Sequence, residues 1–296
     1  MSREARVLAH AKINLELLVL AREEGGHHGL QTVFHRLALG DEVRVRVDVA
    51  GRTLDCGGPE LPTSGLGPVQ RNLAWRAAVA YAEATGWPDG FAIEVEKLVP
   101  TGGGLGGGSA DAGAVLRALD ALAPAPLGEE RLLQLAAPLG ADVPFLTSRA
   151  CHVLAWSRGE RMLALPPLPD RPVALIVPPV AIDTAEAYAR LAASRGEWRP
   201  AAMRCDLESL AIWDAVARRA RNDFEPVALA WHPALASALD WLRARGAAIA
   251  MLAGSGSTLF GVFEPTAAPD ASSVPPMGRL VLTHTLSRVV GVQLIG

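Results

Sequence analysis

Two hydrophobic periods run through the chain. Near the N-terminus Ile13, Leu15 and Leu17 alternate with Lys12, Asn14 and Glu16, the period of two expected of a strand. Lys12 and Asn14 then share one face, and the pattern alone reads them as polar groups on a solvated sheet surface. Val43, Val45, Val47 and Val49 alternate with Arg44, Arg46 and Asp48, and Phe91, Ile93 and Val95 with Glu94 and Glu96. These runs predict two more strands. Residues 51–70, rich in Gly, Pro, Thr and Ser, read as loop. Leu73, Ala74, Ala77, Ala78 and Tyr81 fall on one helical face, with Asn72 placed as N-cap. Val115, Leu116, Leu119 and Leu122 repeat that spacing until Pro124, and Leu132, Leu133, Leu135 and Ala136 mark a shorter helix that ends at Gly140.

The second half continues the mixture. Cys151 to Trp156 reads as a strand, and the proline-rich stretch Leu165–Pro172 as a link between domains. Val173–Val177 is a buried strand. A helix starts near Ile182 and places Thr184 and Tyr188, one turn apart, on a common face. Another helix spans 233–245, with Gly246 at its end. Strands Ala247–Leu252 and Leu259–Phe263 flank a glycine turn, Gly254–Thr258. A Pro/Ala/Ser loop over 264–277 precedes a last strand from Val281.

Length and composition narrow the classes. A chain of 296 residues suits two domains or one large one, and an apolar half of the residues is ample for a core. A net charge of −3 offers no basic field for nucleic acid. No apolar run approaches a membrane span. Cys56, Cys151 and Cys205 lie far apart without a CxxC pair, the pattern of free thiols in a reducing cytosol. Arg3, Glu4 and Arg6 lead directly into a strand pattern, with no N-terminal signal region. The expected setting is cytoplasmic, without membrane or nucleic-acid partners.

The chemistry concentrates between the strand at 91–96 and the helix at 109–122. Residues 102–108 are six glycines interrupted by Leu105. Glycine lets the main chain approach a ligand and turn its N–H groups inward. Ser109, at the helix start, stands where free N–H groups and the helix dipole favour an anion. A polyphosphate is the expected guest. A flexible linker would not be wedged between a strand and an amphipathic helix. No Gly-Lys-Ser or Gly-Lys-Thr follows, so the run is not a P-loop. Gly102, Gly104 and Gly107 satisfy GxGxxG, but the match is weak in so glycine-dense a segment. Asp142 sits in an apolar Gly-Ala-Asp-Val-Pro segment, as a turn or cap residue rather than a solvated surface charge. His27 and His28 are adjacent, so their side chains diverge, and no third ligand at a useful spacing makes them a metal site.

The segment Val99–Gly113 resembles the phosphate loop of the GHMP kinases, the family of galactokinase, homoserine kinase, mevalonate kinase and phosphomevalonate kinase. Ala11-Lys-Ile-Asn-Leu15, the Leu30-Gln-Thr32 stretch after His28, Gly140-Ala-Asp-Val-Pro144 and the Gly254-Ser-Gly256 turn resemble further motifs of that family, in the same order. The likeness is strongest to the branch that acts on a cytidine-diphosphate alcohol. It implies an α+β two-domain fold, with an N-terminal nucleotide-binding domain over 1–165, a ferredoxin-like C-terminal domain over 166–296, and the active site in the cleft between them. It implies ATP as phosphoryl donor and Mg²⁺ bridging the phosphate oxygens, with no protein metal-ligand set. The implied acceptor is the 2-hydroxyl of 4-diphosphocytidyl-2-C-methyl-D-erythritol, a step toward isoprenoid precursors.

The same resemblance implies roles for individual residues. Lys12 orients the hydroxyl and favours the ionised form of Asp142, which takes the proton. Pro100, Thr101, Gly102, Gly103, Gly104, Leu105, Gly106, Gly107, Gly108, Ser109 and Ala110, with Asn72 and Lys97, hold ATP. Asn14, His27, His28, Thr184, Tyr188, Gly254, Ser255 and Gly256 face the substrate. His27 stands where the family carries tyrosine, and Arg71 where it carries an acid. Asn222-Asp-Phe-Glu225 resembles a structural segment. Two alternatives stand beside this reading: a GHMP kinase for another small alcohol, and an inactive nucleotide-binding regulator of the same fold. A monomer and a homodimer are both compatible.

Overall fold

The computed structural model describes residues 3–22, 28–195 and 206–295. His27 and Cys205 lie outside the described residues, and only the backbone of His28 is described. In chain order the elements are β1 (Arg3–Arg22), β2 (His28–Val47), β3 (Arg52–Gly57), α1 (Leu73–Thr85), β4 (Phe91–Glu96), α2 (Gly107–Leu122), α3 (Glu129–Ala136), α4 (Val143–Thr147), β5 (His152–Ser157) and β6 (Arg161–Ala164). Then follow β7 (Pro172–Val177), α5 (Thr184–Ser194), α6 (Trp213–Arg219), β8 (Arg221–Asn222), α7 (Glu225–Trp231), α8 (Ala234–Ala244), β9 (Ile249–Leu252), β10 (Leu259–Val262), β11 (Arg279–His284) and β12 (Gln293–Ile295).

The long antiparallel pair β1–β2 is the spine of the first sheet, whose order is β12-β1-β2-β4-β3, with β5 and β6 joined through β2 and β8 beside β1. The free edge of β2 takes β5 along residues 30–35 and β4 along 42–47. Residues 36–41 lie between those two partners. Pairing of β1 with β2 slips between His10 and Lys12. A bulge of this kind exchanges the two faces of a strand. Before it, Ala5, Val7 and Ala9 pack with Ala77, Ala112 and Leu116 of α1 and α2. Beyond it, Ala11, Ile13 and Leu15 join Leu175, Met251 and Phe260 of the second sheet. Odd-numbered residues thus serve opposite layers on either side of the bulge, and Lys12 and Asn14 turn to the helical side.

The second sheet, β11-β7-β10-β9, is antiparallel throughout. Numbered by appearance, its strands run fourth, first, third, second, the ferredoxin-like order. Its outer face is covered by α5, α7 and α8 through Leu191, Ala228, Leu235 and Leu239. The fold is α+β, as expected. Two elements correct the sequence reading. β3 lies inside the stretch read as loop: it is an edge strand parallel to β4, and only Leu54 and Cys56 are half-buried, so its hydrophobic signal is faint. β12 adds the C-terminal residues to the edge of β1, so the chain returns to the sheet on which it began.

Candidate functional site

The sheet bulge sets the first part of the site. Lys12 and Asn14 are buried, not solvated as the alternation alone suggested. Lys12 Nζ donates to Asn14 Oδ1 at 2.8 Å and lies 3.3 Å from Asp142 Oδ2. Asn14 Nδ2 donates to Thr32 Oγ1 at 2.7 Å, and that hydroxyl donates to the Glu16 carbonyl at 2.7 Å. A buried ammonium is tolerated only with such partners. Asp142 occupies the N-cap position of α4, yet its carboxylate makes no capping hydrogen bond, and the side chain is 29% exposed. It is therefore available both to Lys12 and to a ligand.

The glycine run forms the second part. The φ angles at Gly102, Gly104 and Gly106 are +75°, +79° and +74°, with Gly103 and Leu105 outside the left-handed region. Such alternation points successive N–H groups into one concavity, an anion nest. Leu105 explains itself: its side chain is buried in the core, and its carbonyl accepts from Lys12 N–H at 3.0 Å, pinning the loop to the β1 bulge. Helix α2 begins at Gly107 rather than at Ser109. Its N-cap is Gly106, which has no side chain to cap it, so first-turn N–H groups remain for a ligand. A groove of about 370 Å³ is lined by this run, Ser109, Asn72, Lys97 and Asp111.

Asn72 and Lys97 are each held by the protein itself. Asn72 Oδ1 accepts from Ala74 N–H at 2.9 Å as the expected N-cap of α1. Lys97, read from sequence as a neighbour of the nucleotide, is buried between two carboxylates: Asp41, in a very short contact, and Asp111, 2.6 Å away. Burial opposes its charge, but Asp111 and Asp41 outweigh it and raise its pKa above the usual lysine value. Asp111 is itself raised to about 7, by burial against the pull of Lys97, with Asp41 adding to the rise. The other Asp41 oxygen accepts from Leu98 and Val99 N–H at 2.6 and 2.7 Å. This cluster ties the exit of β4 and the first turns of α2 to β2, and so fixes both ends of the glycine loop. Asp111 gave no sequence signal beyond being an acid near a Gly-rich run, and Asp41, some sixty residues before that run, gave none.

The third part comes from the second sheet. The Gly254–Thr258 turn between β9 and β10 abuts the glycine loop: Thr258 N–H donates to Gly103 O at 3.2 Å. A Cβ on Gly104 would lie 2.0 Å from Ala253 O, and one on Gly254 would lie 3.4 Å from Lys12 Nζ. Thr184 and Ser255 hydroxyls meet at 2.9 Å. Tyr188 packs edge-on against Phe224 with centroids 4.8 Å apart. Its phenol pKa is raised by burial and, less, by the charge of Asp142. Asn222 Nδ2 donates to the carbonyls of Leu252 and Gly254 at 2.8 and 2.7 Å, and Glu225 Oε2 accepts from Leu252 N–H at 2.9 Å. That segment is structural, as expected: it holds the turn.

The structure thus converges Lys12, Asn14, Asp142, the glycine loop and the 254–256 turn on one place, with Thr184 joined to it through Ser255 and Tyr188 on the same helix one turn after Thr184. Among the described residues, no group of three or more His, Cys, Asp or Glu side chains could hold a metal ion, and no helix is long and apolar enough to cross a membrane. A Cβ on Gly106 would meet the Lys12 Cγ and Cε atoms at 3.1 Å. Side chains at that position act on Lys12, not only on an approaching phosphate.

Two family models match: GHMP kinases N terminal domain over residues 72–149 and GHMP kinases C terminal over 201–274. The 4-diphosphocytidyl-2-C-methyl-D-erythritol kinase of Geobacter sp. (strain M21) is 36% identical over 263 residues, 88% of this chain and 90% of its own. That of Halorhodospira halophila (strain DSM 244 / SL1) is 39% identical over 269 residues, 89% and 86% of the two chains. A crystal structure of 4-(cytidine 5'-diphospho)-2C-methyl-D-erythritol kinase superposes with a TM-score of 0.75 at 36% identity, covering 95% of this chain and 98% of that one. Homoserine kinase from Cytophaga hutchinsonii, at 17% identity and a TM-score of 0.68, shares the fold.

Proposed function

The chain belongs to the GHMP kinase family, and from that premise we propose that it transfers the ATP γ-phosphoryl group to the 2-hydroxyl of 4-diphosphocytidyl-2-C-methyl-D-erythritol. The observation that carries the chemistry is the buried Lys12 Nζ, 3.3 Å from Asp142 Oδ2, where the two glycine turns meet. The relatives named above carry the substrate.

Phosphoryl transfer asks mainly for alignment and charge neutralisation. The nest at 102–106 and the uncapped start of α2 receive the triphosphate, with Asn72 and Ser109 on the groove wall. Lys97 acts on this cradle through Asp41 and Asp111. Magnesium would need no protein ligand cage, because it is commonly held by substrate phosphates, water and few side chains; Ser109 on the groove wall is the hydroxyl that would hold it, and the ion would supply neutralisation of phosphate charge. Asp142 accepts the proton of the acceptor hydroxyl as its oxygen bonds to the γ-phosphorus and the bond to the ADP oxygen breaks. Lys12 stabilises the developing negative charge, oriented by Asn14. Tyr188, Thr184 and the 254–256 turn form the wall for the cytidine alcohol, and the family resemblance assigns His27 and His28 to the same substrate.

We place the nucleotide-binding half at 1–165 and the substrate-facing half at 166–296, the protein in the cytoplasm, and a complete site within one chain, so that a monomer or a homodimer serves equally. An ATP-consumption assay with the cytidine alcohol, homoserine and mevalonate tests the reading. Turnover with the cytidine alcohol alone is expected. Preference for either other alcohol reassigns the substrate, and nucleotide binding without turnover reassigns the protein as a regulator.

A further inference from the structure

Arg36 was no part of the sequence reading, yet it is among the largest fully buried side chains in the protein. It stands directly across from Lys12 in the β1–β2 pairing, as Phe34 stands across from Asn14. Two cations at paired positions on one face repel each other, so each needs its own partner. Helix α4 supplies both. Asp142, at its N-terminal end, takes Lys12. At its C-terminal end the Arg36 guanidinium donates from Nη2 to Phe145 O at 2.7 Å and Ser148 O at 2.9 Å, and from Nε to Ala150 O at 2.9 Å.

Aromatic rings fill the space between. The guanidinium carbon lies 4.8 Å from the centre of the Phe145 ring. Phe145 stacks on Phe34 at 4.8 Å and 6°, and Lys12 Nζ lies 5.5 Å from the centre of the Phe34 ring. The run Arg36, Phe145, Phe34, Lys12 is continuous, with a cation over a ring at each end. Burial, then Arg117, lowers the Arg36 pKa to about 9, which leaves it charged at neutral pH.

A helix of five residues has little rigidity of its own. Asp142 spends no oxygen on capping α4, so its aim is set by where the helix as a whole is held. We propose that Arg36 is a positioning residue for phosphoryl transfer: it grips the C-terminal carbonyls of α4 and, through Phe145 and Phe34, sets Asp142 against Lys12. This inference rests on the reading of Lys12 and Asp142 as the reacting pair.

The test is a double-mutant cycle on the full chain with ATP and the cytidine alcohol. Arg36→Met is expected to lower kcat by roughly 10- to 100-fold, since misplacement by about 1 Å costs on that order, with KM for ATP changed by less than about threefold. Arg36→Lys, which keeps the charge but not the fork of donors, should recover part of the loss. In the Asp142→Asn background, Arg36→Met should add little, because both changes act through one carboxylate. Equal losses in the two backgrounds, or a folded Arg36→Met enzyme with wild-type kcat, overturn the proposal. If circular dichroism shows Arg36→Met unfolded, Phe145→Leu decides: a kcat at least about threefold lower at unchanged KM for ATP supports positioning, and wild-type kcat overturns it. Asp142→Asn alone separates the two levels. Full activity there removes the reacting pair and this inference together; an inactive Asp142→Asn beside a normal Arg36→Met removes only this inference.

Discussion

The contact between the two glycine turns can be tested by a pair of alanine substitutions that share a backbone conformation. Gly102 and Gly104 have φ of +75° and +79°, so alanine at either pays the same left-handed strain, about 1–2 kcal/mol. Their surroundings differ. A Cβ at Gly102 meets nothing within 4 Å. At Gly104 it would lie 2.0 Å from Ala253 O, 2.8 Å from Ala253 C and 3.2 Å from Gly256 O, all backbone of the opposing turn. The turns must part by at least about 1 Å, because Cβ contacts under 3.0 Å do not persist. Overpacking of this kind adds about 1–3 kcal/mol, and the shift moves the 254–256 turn away from Lys12 and the loop. For a chain of this size 1 kcal/mol corresponds to about 2–4 °C in Tm. Thermal unfolding of the apo protein should place Gly102→Ala about 2–8 °C below wild type and Gly104→Ala further down, by roughly 4–20 °C in all. At saturating ATP, kcat of Gly102→Ala should stay within a few-fold of wild type, while that of Gly104→Ala falls by about 10²-fold. Equal Tm and equal kcat for the two variants would refute the claim that the turns touch and that their contact aligns the site.

Asp142→Asn should lower kcat by about 10²–10⁴-fold, with calorimetric titration showing nucleotide affinity unchanged; near-normal turnover would remove its role as base. Tyr188→Ala should weaken the cytidine substrate by about 1–3 kcal/mol, seen as a raised KM for it at constant KM for ATP, and equal effects on both substrates would exclude Tyr188 from a cytidine wall. Gly106→Val should reduce kcat as well as ATP affinity, because the branched side chain strikes Lys12; a loss of affinity with full kcat would confine its effect to the phosphates. Stability should fall on mild acidification. His10, held low by burial, Arg36 and Arg117, has a pKa near 4; His35, by burial and His152, near 3; His152, by burial, near 4. Unfolded, they titrate near 6.5, so between about pH 6.5 and 4 the unfolded chain binds more protons and stability drops with pH, by up to roughly 3 kcal/mol per histidine. Urea midpoints at pH 7.5 and 5.5 measure this, and equal midpoints would contradict it.

Much of this site was legible because glycine and proline leave strong local marks. The strand–glycine loop–helix order, the Asn72 cap and a helix carrying Thr184 and Tyr188 all appear where the spacing placed them, with α2 starting two residues early. Local chemistry dictates these features, and neighbours in sequence carry it. Alternation at 12–17 likewise gave a strand and told which side chains share a face. It could not tell which layer that face meets. The bulge between His10 and Lys12 decides this, and a bulge depends on how a partner strand some twenty residues away is registered. Lys12 therefore read as solvated and is buried. Lys97 read as a ligand neighbour but is shared by Asp41 and Asp111, 56 and 14 residues away. Arg36 had no mark at all, since its acceptors are carbonyls more than a hundred residues distant. A buried charge is set by what surrounds it in space, because the cost of desolvating it is met by partners that sequence order does not bring near. The chain order alone determined the glycine loop proposed to receive phosphate; the packing of two sheets around one bulge decided which lysine, which aspartate and which arginine stand beside it.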